Sequence, residues 1–157
     1  TMTLPLSLQE GLESLLAGHK SADLRAARAH LTQTYHTDGV PHMLSEEERL
    51  SYLATRMPAT FEVARAVLAQ VPGLEDGVGR LLDLGAGPGT VLWALESLTR
   101  VEGAVLVEQD KGLRALAQTL RRASPMPLEV LGHDLVNGTF WQDADLVTMS
   151  YVWAELE

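Results

Sequence analysis

Asp83-Leu84-Gly85-Ala86-Gly87-Pro88-Gly89-Thr90 ends a short apolar run, Arg80–Leu84, and opens a helical pattern, Thr90–Leu98. An apolar strand, a glycine turn and a helix, in that order, make one unit of a parallel sheet. Glycines at such a turn let a ligand approach the backbone closely, and the following helix offers N–H groups without intrahelical partners. The alternation continues outward. Gly103–Val107 reads as a second strand, Lys111–Ala123 as a helix, Leu128–Leu131 as a third strand and Ala144–Ser150 as a fourth. The pattern predicts an α/β fold with a parallel sheet of about four strands, covered on both faces.

Upstream the periodicity is helical throughout, with no convincing strand. Leu8, Leu12, Leu15 and Leu16 form one stripe ended by Gly18, and Ser21 can cap a second helix carrying Leu24, Ala27, Leu31 and Tyr35. His36–Leu44, with Asp38-Gly39 and Pro41, reads as a loop. Ser45 and Glu48 stand at capping-box spacing ahead of Leu50, Leu53 and Met57. Pro58 is expected to bend that helix or to start a new one, Ala59–Val71, with Phe61, Ala64, Val67 and Leu68 inward. Pro72-Gly73 and the glycine-rich run to Gly79 read as a linker. The expected organisation is a helical N-terminal region, residues 1–73, followed by a Rossmann-like core, residues 74–157.

A chain of 157 residues supports one domain with a real core. No apolar run reaches the roughly 18–20 residues of a membrane helix, and no membrane partner is expected. Cysteine is absent, which excludes disulfides and thiolate metal sites within these residues. The five histidines, His19, His30, His36, His42 and His133, show no metal-ligand spacing. Together with the lack of a cationic, apolar opening, these features predict a cytoplasmic location. The net charge is −9, with 6 basic and 10 acidic residues before Gly79 and 6 and 11 after it. Neither half has the clustered Lys and Arg on which phosphate-backbone binding depends.

The spacing at the turn is G-x-G-x-G, and Thr90 stands where a dinucleotide fingerprint has its third glycine. Asp83 lies two residues before the first glycine, where a carboxylate repels a pyrophosphate and favours a cation. S-adenosylmethionine has no phosphate and carries a sulfonium and an ammonium, so it fits better than NAD. Glu108, at the end of the second strand, is placed to accept hydrogen bonds from ribose hydroxyls. A plain connector turn at the glycines, and a solvated turn acid at Glu108, are the bland alternatives.

On these residues the sequence resembles the class I methyltransferases. Asp83–Gly89 is similar to their first motif and Val107-Glu108-Gln109-Asp110 to their ribose-binding strand end. His133-Asp134-Leu135 resembles the third-strand position whose acid holds the adenine amino group, although Asp134 also reads as a loop-capping carboxylate. Asp145–Tyr151 resembles the fourth-strand motif that faces the methyl group. The resemblance implies an S-adenosylmethionine site of Asp83, Gly85, Ala86, Gly87, Gly89, Glu108, Gln109, Asp134, Leu135, Ser150 and Tyr151, with no metal.

A narrower resemblance spans roughly Ser21 to Glu157. Ser51-Tyr52-Leu53-Ala54-Thr55-Arg56-Met57-Pro58-Ala59-Thr60-Phe61 and Ser150-Tyr151-Val152-Trp153-Ala154-Glu155-Leu156 look like segments of the small-ribosomal-subunit methyltransferase-like family of mitochondria and bacteria. That family implies methylation or assembly of the small ribosomal subunit, with its RNA or protein as partner. It also implies further strands and a cysteine cluster after the fourth strand, so the chain reads as C-terminally truncated. The fourth strand lacks the N-P-P-Y or D-P-P-Y clamp for an exocyclic amine, and no residue is assigned a catalytic role. A non-catalytic assembly factor with the same fold is therefore the alternative, and a NAD-dependent oxidoreductase a weaker one. Arg56 reads either as reaching the cofactor carboxylate or the site's acids, or as pairing with a helical glutamate. Trp93, Trp141 and Trp153 read as core or rim packing residues, with cofactor stacking the lesser alternative.

Overall fold

The computed structural model describes residues 4–37, 45–136 and 142–150. The chain divides into two compact units, Thr1–Ala59 and Thr60–Glu157. The division falls within a helix one residue past Pro58, whereas the compositional linker lies later, at Pro72–Gly79.

The first unit is helical. Helix α1, Leu6–Ala17, buries Leu8 and Leu12 and stops at Gly18. Helix α2 runs from Ser21 to Thr37 and buries Ala27. Helix α3 begins at Glu46, where the Glu48 amide donates to Ser45 Oγ at 3.2 Å, one half of the expected capping box. Leu50, Leu53 and Met57 are buried on one side of it. Glu46, Glu47 and Glu48 in its first turn face imidazoles: His19 lies 3.8 Å from Glu46 and 3.7 Å from Glu47, and His30 lies 3.4 Å from Glu48.

Of the two outcomes expected at Pro58, a bend or a new helix, the second does not occur: α3 is one helix from Glu46 to Leu68, with Pro58 inside it. Proline costs one backbone hydrogen bond there, but Met57 and Phe61, each 2% exposed, flank it in buried positions that the helical spacing maintains. Val67, expected inward, is exposed at 59%.

The second unit is a four-stranded parallel sheet: β1 (Leu81–Leu84), β2 (Ala104–Val107), β3 (Leu128–Leu131) and β4 (Leu146–Met149), in the order β3-β2-β1-β4. Helix α4, Thr90–Glu96, lies between β1 and β2 in the chain, and helix α5, Lys111–Leu120, between β2 and β3. The expected Rossmann-like α/β architecture with N-terminal helices is borne out; β3 has its expected bounds, and the other strands and helices of the sheet unit are shorter by one to three residues at one or both ends. All residues of β1 and β2 are buried, as central strands of a parallel sheet require. Leu82, Leu84, Val105 and Val107 form a core cluster joined by Leu131, Leu135 and Ala144. The stretch read as a linker is ordered. Leu74 and Val78 are buried, Leu74–Asp76 forms a 3-10 turn, and Val78 bridges to Val101 alongside the sheet.

Helices α4 and α5 are tied by a group that periodicity does not reveal. Arg121, just past α5, is 5% exposed, pairs with Glu96 of α4, and stacks 4.7 Å from the Trp93 ring centroid. Trp93 is a packing residue, as expected, with a buried cation as its neighbour.

Candidate functional site

In the order β3-β2-β1-β4, chain direction across the sheet reverses at β1. The crevice beyond the carboxyl ends of β1 and its neighbours is the place where such sheets bind ligands. The glycine turn leaves β1 at that crevice. Its course is set by two bonds, from the amides of Gly85 and Ala86 to the Val107 carbonyl at 2.8 and 2.9 Å. Gly85, Gly87 and Gly89 have φ of +70°, +56° and +88°, in the left-handed region that L side chains rarely adopt. A Cβ at Gly87 would meet nothing within 4 Å, so the turn is open there; one at Gly89 would lie 3.3 Å from Leu106 Cδ1. Two glycines of one motif thus differ in their surroundings. Gly87 borders free space, and Gly89 lets the N-terminus of α4 pack on β2.

Glu108 follows β2, and its carboxylate joins both turns. Oε2 accepts from the Gly87 amide at 2.9 Å, and Oε1 accepts from the Asp110 amide at 3.0 Å. A carboxylate has about four acceptor positions, and two of those of Glu108 hold the turns together. Asp110 caps α5 by accepting from the Leu113 amide at 2.8 Å. An Asp directly before a helical pattern is a legible capping signal. Gln109 is exposed, and its carbonyl accepts from Arg114.

Asp83 is fully buried near the end of β1. Parallel pairing sets Thr148 of β4 directly beside it, and the Thr148 hydroxyl donates to Oδ1 at 2.9 Å. Oδ2 is buried and has no hydrogen-bond partner among the described residues. Burial pushes the Asp83 carboxyl up from 3.8 to about 7; the Thr148 bond pulls it down and the Glu108 charge pushes it up. A carboxylate oxygen that is dry and lacks a hydrogen-bond partner is a ready partner for a cationic or hydrogen-bond-donating group.

The structure brings Asp83, Gly85, Ala86, Gly87, Gly89 and Glu108 together at one turn. Asp134 lies on the stretch after β3, exposed, and accepts from the Val136 amide at 2.9 Å, the loop-capping geometry considered for it. Leu135 packs on the core cluster. Ser150 follows β4 and is partly buried, and Tyr151 lies outside the described residues, as do Trp141 and Trp153. Arg56 is an exposed residue of α3 in the first unit. Thr148 and Arg114 enter the site's hydrogen bonding without having been singled out. Thr148 depends on strand register, and Arg114 is one of several helix-surface arginines that the sequence alone does not rank.

A family model described as "Mitochondrial small ribosomal subunit Rsm22" matches residues 46–157. No curated protein matches the chain. Among solved structures, the chain is similar to a proposed S-adenosyl-L-methionine-dependent methyltransferase of Methanococcus maripaludis, at 16% identity over 83% of this chain and 51% of that one (TM-score 0.48). It is similar to CalS10, an amino pentose methyltransferase of Micromonospora echinaspora solved with S-adenosylmethionine bound, at 23% identity over 63% and 40% (TM-score 0.46). It is also similar to a S-adenosylmethionine-dependent methyltransferase of Leishmania major, at 23% identity over 73% and 44% (TM-score 0.45). The chain spans about half or less of the length of each. These are likenesses of fold, and the activities belong to those proteins. The family description also corrects the expected cytoplasmic location, because the family it names is mitochondrial. That expectation rested on missing cysteines and a missing cationic opening, and a cysteine-free domain is compatible with any redox compartment. The match covers well over half of the chain, and the protein belongs to the Rsm22 family.

Proposed function

We propose that the protein is an S-adenosylmethionine-dependent methyltransferase acting on the small ribosomal subunit. The observation that carries the cofactor is the Glu108 carboxylate, held between the Gly87 and Asp110 amides beside an open turn. The residues fit that group. The acidic side chains Asp83, Glu108 and Asp110 outnumber the Arg114 guanidinium at the site, which suits a sulfonium and an ammonium and opposes a pyrophosphate. In this reading Glu108 accepts from the ribose hydroxyls, and the open backbone at Gly87 admits the ligand. Asp83 Oδ2 accepts from the amino-acid end, directly or through water. Ser150 borders the methyl group, a role the class I resemblance also gives to Tyr151, while Asp134, Leu135 and Gln109 border the adenosine.

Bound S-adenosylmethionine supplies a methyl group on a sulfonium that is already a good leaving group. The chain's own contribution is then alignment and charge placement rather than proton transfer. Glu108 places negative charge at the turn, and Asp83, whose carboxyl burial pushes up to about 7, takes its full charge opposite a cationic group, while the buried strands β1 and β2 hold both carboxylates on a rigid base. The ribosomal substrate rests on the family description, which names the mitochondrial small subunit.

Calorimetric titration of the folded protein with S-adenosylhomocysteine tests the cofactor. Binding that is lost in Glu108→Ala supports it, and absence of heat from the folded wild-type protein refutes it. Transfer of labelled methyl from S-adenosylmethionine to immature small subunits, lost in Asp83→Ala, tests the activity. Cofactor binding without label in RNA or protein refutes the transferase and leaves an assembly role.

A further inference from the structure

The Glu108 carboxylate works only if its own turn holds still, and the group that fixes this turn is a cation from the next helix. Arg114, in the first turn and a half of α5, donates from one nitrogen, Nη1, to the carbonyls of Glu108 at 2.8 Å and Gln109 at 2.7 Å. These are the two carbonyls between the end of β2 and the Asp110 cap. With them pinned, the Asp110 amide is directed at Glu108 Oε1 and the Asp110 carboxylate at the Leu113 amide. The same guanidinium rests on Gly132, at the end of β3. A Cβ at Gly132 would stand 2.7 Å from Arg114 Cζ, 2.8 Å from Nη1 and 3.0 Å from Nη2. Gly132 is not among the glycines with positive φ, so its lack of a side chain serves the space that the guanidinium fills rather than the backbone.

We infer that Arg114, seated on Gly132, is a positioning residue that fixes the Glu108 turn and so holds the Glu108 carboxylate against the Gly87 amide, in the orientation that receives the ribose. The inference rests on the cofactor reading above for its last clause only. Hydrogen bonds from a guanidinium to carbonyls are charge-assisted and stronger than neutral ones, which suits a cation for this task. Because both bonds leave one nitrogen, a lysine ammonium can supply both donors, whereas an uncharged methionine, which has no N–H, cannot.

The test uses Arg114→Met, Arg114→Lys and Gly132→Ala in the whole chain. Amide hydrogen exchange at Gly87 and Asp110 is followed without ligand, and S-adenosylhomocysteine affinity is measured by calorimetry. Arg114→Met and Gly132→Ala are each expected to speed exchange at both amides and to weaken binding about tenfold, with Arg114→Lys close to wild type. Arg114→Met added to Glu108→Gln should weaken binding no further than Glu108→Gln alone, an outcome that a merely structural role does not give. Unchanged exchange at Gly87 and Asp110 in both Arg114→Met and Gly132→Ala overturns the inference. Faster exchange in a protein whose wild type binds no S-adenosylhomocysteine overturns the cofactor reading and leaves Arg114 as the clamp of the turn.

Discussion

Thr148 Oγ1 donates to Asp83 Oδ1 at 2.9 Å, linking β4 to β1 across 65 residues of chain, while Asp83 Oδ2 stays buried with no hydrogen-bond partner among the described residues. The hydroxyl satisfies one oxygen of a carboxylate that has been taken fully out of water, and in the proposed reading the other oxygen is left to the ligand. A site arranged in this way trades stability of the free protein for affinity.

The trade has a pH signature. With the folded carboxyl at about 7 and the unfolded one near 3.8, the folded protein holds a proton that the unfolded chain has lost. Stability therefore falls as pH rises from about 4 towards 7, and the loss is complete above that. Asp83→Asn should remove this slope and stabilise the ligand-free protein at pH 8 by roughly 2–4 kcal/mol, while weakening S-adenosylhomocysteine binding. Urea midpoints at pH 5 and pH 8 for both proteins check this. Equal pH dependence in the two would show that Asp83 is not the titrating group.

Arg121 should be the most costly arginine of the sheet unit to remove. Its guanidinium is buried, paired with Glu96 and stacked on Trp93. Arg121→Ala leaves Glu96, about 29% exposed, without its partner, and should cost about 2–4 kcal/mol. Arg121→Met with Glu96→Leu should recover much of that, since two apolar groups can replace a buried pair. Denaturant unfolding of the single and double variants tests the coupling; additive losses would speak against it.

The glycine turn separates conformational strain from steric conflict. Gly87→Ala meets open space and suffers only the left-handed backbone, a cost of about 1–2 kcal/mol. Gly89→Ala suffers the same strain and also presses on Leu106 Cδ1 at 3.3 Å. Thermal unfolding should therefore show a larger drop for Gly89→Ala. Ligand affinity should show a clear loss for Gly87→Ala, whose Cβ enters the open side of the turn. The opposite order of stabilities would contradict the geometry.

Gly79 is reserved by a distant carboxylate. Asp145 Oδ2 accepts from the Arg80 amide at 2.7 Å, and a Cβ at Gly79 would stand 2.6 Å from that oxygen. Gly79→Ala should displace Asp145 and loosen the start of β4, destabilising by about 1–2 kcal/mol. The Arg80 amide should then exchange faster. Protection of that amide at the wild-type level would show that Asp145 is not displaced.

Much of the molecule follows from local rules. The strand–glycine turn–helix order around Asp83–Thr90, the Ser45–Glu48 cap and the apolar spacing of Leu50, Leu53 and Met57 each act within about eight residues. Short-range patterns record such preferences directly. The parallel sheet follows as well, because strands separated by helices have few other ways to pair. What only the tertiary structure decided is where distant groups meet. Strand register put Thr148 beside Asp83, packing on Gly132 selected Arg114 among the arginines, and the joining of α4 to α5 buried Arg121 against Trp93 and Glu96. Buried flanking residues also carried α3 through Pro58, against the local cost of proline. These outcomes depend on the free energy of contacts between residues far apart in the chain. A residue's own type and its near neighbours do not encode which of several similar partners it will find.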